Sequence, residues 1–182
     1  MDAFLAAYFD GIVGYQRFRL FLIELQQQSA EAGGPSVEES DGKAFIVGEG
    51  DPNLQTAKVL LSTTQADLKQ RNEPDGANSV FLARMLIVAV YQLWEDHYRD
   101  QIADERGVER NQVTSDLFGD LRHYRRSIIH NRGLAVDEVR RNHVLRWFPP
   151  GAEVSPTRVQ MRSLIGLLRA EVERFKSIPP AV

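Results

Sequence analysis

The stretch NSVFLARMLIVAVYQLWEDHYRDQIADERG, residues 78–107, constrains the fold most. From Val80 to Trp94 it is apolar nearly all round. A helix without a polar face has to be surrounded by protein. The stretch turns polar after Glu95 and stops at Gly107. The rest of the chain must supply the elements that cover it.

Those partners show as helical periodicity. In residues 2–30, Phe4, Leu5, Tyr8, Ile12, Tyr15, Phe18, Phe21, Leu22 and Leu25 recur at three- and four-residue steps. The spacing predicts one long helix with a single apolar stripe, ended by AGGPS. KAFIVGEG is short, apolar and bounded by glycine, and predicts a lone strand near Ala44–Val47. DPNLQTAKVLLSTTQADLKQRN opens with Asp51 as N-cap and Pro52 in the first turn, and predicts a helix ending at EPDG. A further helix is expected from about Gln112 to Asn131, with Gly133 as its left-handed terminator. VLRWF predicts a short strand over Val144–Phe148. Ser155 and Pro156 open a last helix, with Val159, Leu164, Leu167, Leu168, Val172 and Phe175 facing inward. The expected fold is all-α, an up-and-down helical bundle of roughly four to five helices with at most a small β-hairpin. At 182 residues the chain is expected to form a single domain, residues 1–182.

Cysteine is absent, which removes disulfides, thiolate nucleophiles and cysteine-based zinc or iron–sulfur sites. No His/Asp/Glu set has metal-ligand spacing, so neither a metal nor a cofactor is expected. GEGDPN is neither a P-loop nor a dinucleotide fingerprint and reads as a turn. The N-terminus lacks a basic region and carries Asp2 and Asp10, unlike a signal peptide. The apolar runs read as too short or too interrupted to span a bilayer. The expected location is cytoplasmic, with no membrane partner.

Against a net charge of -3, the segment GDLRHYRRSIIHNRG, residues 119–133, stands out for its arginines. On a helical wheel Leu117, Leu121, Tyr124 and Ile128 form a core stripe. Arg122, Arg126 and His130 form a second stripe at four-residue spacing. Arg125 lies at the core edge and joins them only if the helix turns near His130. One reading is a solvated face, with Asp116 and Asp120 one turn ahead and His130 as a cation at the helix C-terminus. The other is a phosphate site. Guanidinium groups grip phosphate in a bidentate fork, and histidine moves protons near neutral pH. Arginine and histidine without a metal suffice for attack of an RNA 2′-OH on its own phosphodiester. Glu95 and Asp96, where the buried helix turns polar, read either as ordinary helix charges or as a carboxylate, Glu95 first, that orients Arg125 or His130. His97 reads as a surface or partly buried residue, His123 as structural, and His143 as the edge of the basic face. Trp94 and Trp147 read as core anchors.

RRSIIHN resembles the motif of the HEPN superfamily, an arginine followed after four to six residues by a histidine, through Arg125 and His130. The match lies at a helix end and continues into HNRG. YQLWEDHYRDQIA before it and VLRWFPPGAEVS after it are also similar to bacterial members, so the resemblance covers about Val80 to Phe175. Members are all-helical, and many are metal-independent ribonucleases of toxin–antitoxin, abortive-infection and CRISPR systems. The resemblance implies an RNA endonuclease that leaves 2′,3′-cyclic phosphate and 5′-OH ends. Arg125, Arg126 and His130 would be catalytic, Arg122, Asn131 and Arg132 would bind RNA, and Glu95 would orient them. A homodimer with a composite site is implied, as is an antitoxin or defence-system partner. The residue after the motif arginine is often small and polar in the family, and here it is Arg126, which leaves Arg125 and Arg126 both open as the motif arginine. The competing reading is a non-catalytic helical module that binds RNA, nucleotide or a protein through its arginine face.

Overall fold

The computed structural model describes residues 2–51 and 57–177. It is mostly helical, with one two-stranded antiparallel sheet. The helices are α1 (Asp2–Glu31), α2 (Val37–Asp41), α3 (Gln65–Arg71), α4 (Ala77–Leu93), α5 (Arg99–Arg106), α6 (Asp116–His130) and α7 (Arg158–Ser177). They outnumber the four to five expected. The chain falls into two compact units, Asp10–Ser79 and Met1–Phe9 with Val80–Val182.

In the unit Asp10–Ser79, strand β1 (Ala44–Glu49) pairs antiparallel with β2 (Lys58–Thr64), from Ala44 opposite Thr64 to Glu49 opposite Lys58. The single helix expected between Asp51 and Asn72 is therefore a strand followed by the short α3. Pro52 lies outside the described residues. The reason is the composition of KVLLSTT. Val59, Thr63 and Thr64 are β-branched and fit an extended chain. A lone strand also leaves its N–H and C=O groups unpaired, so AFIVGE requires this neighbour. Thr64 then caps α3, its hydroxyl accepting from the Asp67 N–H at 3.0 Å. Buried Gln26 ties α1 to α2 and α3. Its Nε2 donates to Asp41 and to Gln65, each at 2.9 Å, and its Oε1 accepts from Lys69 at 2.9 Å. The Lys69 ammonium lies 2.6 Å from Asp41 and, against the opposing effect of burial, holds that carboxyl below its ordinary range.

In the other unit α4 is the core helix. Ala83, Leu86, Ile87, Val90 and Trp94 are buried. The stretch is not buried all round, because Phe81 is 57% exposed and Met85 37%. Ala77–Arg106 is long and apolar enough to cross a membrane by length and hydropathy alone, contrary to the expectation from the sequence. The helix is continuous through a π-helical turn, Trp94–Tyr98, where Glu95 sits. It ends at Gly107 in the left-handed region, φ 65°. α6 runs antiparallel beside α4. Trp94 stacks on Phe118 at 4.2 Å, Arg125 lies over the Tyr91 ring, and Arg84 reaches Gly133. On α7, Leu164, Ile165 and Leu168 are buried, whereas Val159, expected inside, is 77% exposed in the first turn.

Residues 144–148 are not a strand. Their backbone is held by side chains of α6. Asp120, 2% exposed, accepts the N–H groups of His143 (3.0 Å), Val144 (2.7 Å) and Leu145 (2.6 Å). Tyr124, fully buried, donates its hydroxyl to the Leu145 carbonyl and accepts the Trp147 N–H at 3.0 Å. Ser127 accepts the Val136 N–H at 3.1 Å. Residues 120, 124 and 127 recur at helical spacing, so one stripe of α6 grips the chain that follows it.

Asp120→Ala leaves the buried Leu145 N–H and the part-buried N–H groups of His143 and Val144 without their acceptor and is expected to cost about 2–4 kcal/mol, several times a typical surface change. Asp120→Asn, which keeps an acceptor oxygen, should cost less. Urea unfolding of the two variants checks this; a loss in Asp120→Ala no larger than that of a typical surface change would show that the carboxylate is not the clasp.

Candidate functional site

The arginine helix begins cleanly. Ser115 caps α6, its hydroxyl accepting from the Phe118 N–H at 3.3 Å. The helix stays regular through His130 and is capped at Asn131. It does not turn before His130, so Arg125 and His130, five residues apart, point about 140° away from each other. Arg126 and His130 are separated by only about 40°. Within one chain Arg125 and His130 therefore leave α6 in different directions.

The two candidate motif arginines differ in their partners. Arg126 is exposed and pairs with Glu138, which lies on the 3-10 turn Asp137–Arg141. Backbone hydrogen bonding first, then the Arg126 and His123 charges, hold the Glu138 carboxyl below its ordinary range. Arg125 is half-buried, with its Cζ 5.7 Å from the centre of the Tyr91 ring. It makes no ion pair or hydrogen bond among the described residues, and its buried Nε has no acceptor. Arg122, exposed on the same side, also makes no ion pair there. His130 is exposed, and Ile129 beside it is 48% exposed.

Glu95 does not contact Arg125 or His130. It lies 3.3 Å from Arg99 and 3.2 Å from Arg110, and it accepts the Tyr91 hydroxyl at 3.4 Å. Its link to Arg125 runs through the Tyr91 ring. Burial first, then the Glu95 charge, push the Tyr91 phenol above its ordinary value, against the pull of Arg122 and Arg125. The phenol therefore stays neutral at any working pH.

The HNRG turn is shaped by backbone. Asn131 donates its side-chain amide to the Leu134 carbonyl at 2.8 Å, so it closes the turn. The left-handed residue next to the cap is Arg132, φ 54°, with Gly133 following at φ 80°. A Cβ on Gly133 would lie 3.2 Å from the Arg84 guanidinium. Arg84 donates to the Val154 carbonyl and to Glu153, both at 2.7 Å, and so pins this turn to residues 153–154. His123 Nδ1 meets Asn142 Oδ1 at 2.7 Å. Exposed His143 offers its backbone N–H to Asp120. Exposed His97 packs beside Tyr98. Trp94 is a core residue, and Trp147 is half-buried against Tyr124.

Sequence reading missed Tyr91 and Arg84, both hidden in the apolar run VFLARMLIVAVYQLW. The signal for Arg84 was there: a cation in an otherwise apolar helix needs a partner. Tyr91 carried none. A cleft of about 930 Å³, walled by Trp94, Tyr98, Ile102, Phe118 and Phe175, contains none of the predicted site residues. A shallower depression of about 660 Å³ lies between Asn131, Glu138, Arg140 and Arg141. No metal-holding group of three or more His, Asp or Glu residues occurs among the described residues. Compared with known protein families, curated proteins and solved structures, the chain matches none.

Glu138→Gln frees the Arg126 charge. It is expected to tighten binding of a single-stranded oligonucleotide and to steepen the salt dependence by about 0.7 in the log–log slope. In the native protein the same release occurs on acidification. A depressed carboxylate keeps its pair above the ordinary glutamate value of about 4.3 and loses it as pH falls through the lower folded value. Fluorescence anisotropy across salt and pH reads both effects, and an unchanged slope in the variant counts against an available Arg126.

Proposed function

We propose that this protein is a metal-independent RNA endonuclease of HEPN type, acting as a homodimer in the cytoplasm. The observation that carries the reading is Arg125. It is a half-buried guanidinium at the motif position with no ion pair among the described residues, three residues from Arg122, which has none there either. An uncompensated cation pair is a poor solution for stability and a good one for a phosphodiester.

The chemistry assigns roles. His130 takes the 2′-OH proton, the 2′-oxygen bonds to phosphorus, and the bond to the 5′-oxygen breaks. A second group then protonates the departing 5′-oxygen, giving a 2′,3′-cyclic phosphate and a 5′-OH. Arg125 meets the charge that builds on the phosphoryl oxygens. Arg122 holds the neighbouring phosphate. Arg126, engaged by Glu138, contributes less, and Arg132 extends the basic track while Asn131 shapes the turn. Glu95 reaches Arg125 only by way of the Tyr91 hydroxyl, at 3.4 Å, and contributes little to its orientation.

The divergence of Arg125 and His130 on α6 favours a site shared by two chains. A twofold axis beside this helix sets His130 of each protomer across from Arg125 of the other and supplies the second histidine as acid. Exposed Ile129, with Phe81 and Met85 on the neighbouring helix, gives such an interface apolar area. The same divergence favours a second reading, a catalytically silent module that binds RNA through Arg122, Arg125 and Arg126. A toxin or antiviral role, with an antitoxin or defence partner, follows from the family resemblance alone.

The protein is expected to cleave total RNA in EDTA. His130→Ala should abolish cleavage while leaving affinity for a 2′-O-methyl oligonucleotide intact. Arg125→Ala should cost about 10²–10³-fold in kcat, more than Arg126→Ala. Binding without cleavage in the wild type selects the silent module. Sedimentation at micromolar concentration is expected to show a dimer, and a dimer mixed from wild-type and His130→Ala protomers should lose most of the activity. A strict monomer that still cleaves removes the shared site.

A further inference from the structure

We propose that Tyr91 is a positioning residue, whose ring holds the Arg125 guanidinium in the orientation that presents its outward N–H groups to a phosphate. This rests on the reading of Arg125 as the phosphate ligand.

A long, flexible side chain at a catalytic position needs something to hold it, because geometric error is costly in phosphoryl chemistry. Arginine is usually held by a carboxylate. Here none does so. Glu95, the acid on the neighbouring helix, is already occupied by Arg99 and Arg110. Asp120 is committed to backbone. Glu138 goes to Arg126. What remains beside Arg125 is the Tyr91 face, 5.7 Å from Cζ, with the buried Nε lacking any oxygen or nitrogen acceptor. An aromatic face attracts a guanidinium through its quadrupole. Unlike a carboxylate, it leaves the net charge and the remaining N–H groups of the arginine available.

The ring is itself fixed. Tyr91 is 8% exposed, and its hydroxyl reaches Glu95 at 3.4 Å. Glu95 is in turn held by Arg99, whose Nε donates to the Val113 carbonyl at 3.0 Å. Burial of the ring is the main restraint, and the long hydroxyl contact to Glu95 adds little to it. Burial keeps the phenol neutral, which matters because a phenolate there would cancel the arginine charge.

The test uses the full chain and two independent readouts. In ¹H–¹⁵N spectra the Arg125 Nε–H resonance, assigned by its loss in Arg125→Ala, is expected upfield of ordinary arginine from the ring current. Tyr91→Phe should keep it there, and Tyr91→Leu should return it to the ordinary position. In RNA cleavage, Tyr91→Phe should stay within about two-fold of wild type, and Tyr91→Leu should lose about ten-fold in kcat with little change in KM. In an Arg125→Ala background Tyr91→Leu should cost nothing further. Where Tyr91→Leu does not fold, Tyr91→Met takes its place. The proposal is overturned by an Arg125 resonance that ignores loss of the ring, or by a kcat loss equally large with and without Arg125. A wild type that shows the ring-current shift but cuts no RNA sinks the ribonuclease reading and leaves the support of Arg125 by Tyr91 standing.

Discussion

The grip of Asp120 on the backbone of residues 143–145 is the contact on which the arginine face depends. A carboxylate at 2% exposure is tolerable only when its oxygens are filled, and three N–H groups fill them. With Tyr124 and Ser127 on the same stripe, α6 binds the returning chain through polar side chains instead of a strand. That fixes the rotation of α6 about its own axis. Once Asp120 and Tyr124 point inward, Arg122, Arg126 and His130 must point out, and Arg125 must lie along α4.

The distribution of counter-charge follows from that rotation. The acids Asp120, Glu95 and Glu138 each have partners other than Arg125. Arg84 and Arg99 are structural cations, each with a carboxylate and a backbone carbonyl. Arg110 joins Glu95 and Asp100. Arg126 has Glu138. Two adjacent guanidinium groups without acids repel each other, a cost that a bound polyanion would remove. On the proposed reading, the unbound protein is under an electrostatic load that RNA relieves, so binding and stability are linked.

How much of this the sequence carried depended on whether local pattern or distant partners decided each element. The long first helix, the apolar 78–107 helix and the stop at Gly107 follow from periodicity and a single glycine, and all were legible. The strand at Ala44–Val47 was legible, but its partner was not. KVLLSTT has a run of Val, Leu and Leu that suits either state, and only pairing with AFIVGE decides it. VLRWF failed for the opposite reason, since its β-like residues meet side chains of α6 and no strand. Asp120 read as a surface charge because a buried carboxylate and a solvated one look alike in sequence. Arg125, Arg126 and His130 could be picked out as candidates from the sequence alone. The difference between Arg125 and Arg126 was not, because it rests on Glu138 twelve residues on and Tyr91 on another helix.

The spacing of the motif now has a physical consequence. At five residues apart on an unbroken helix, an arginine and a histidine leave the helix about 140° apart. Had α6 ended at Arg126, the chain could have folded His130 back toward Arg125. The cap sits instead at Asn131, fixed by its side chain on Leu134 and by the Gly133 turn that Arg84 holds. The turn thus keeps the last helical residue regular and keeps His130 away from its own arginine. Under the proposed function, this separation within one protomer favours a site completed by a second protomer, and the Asp120 clasp and the Asn131 cap would hold the two side chains in that arrangement.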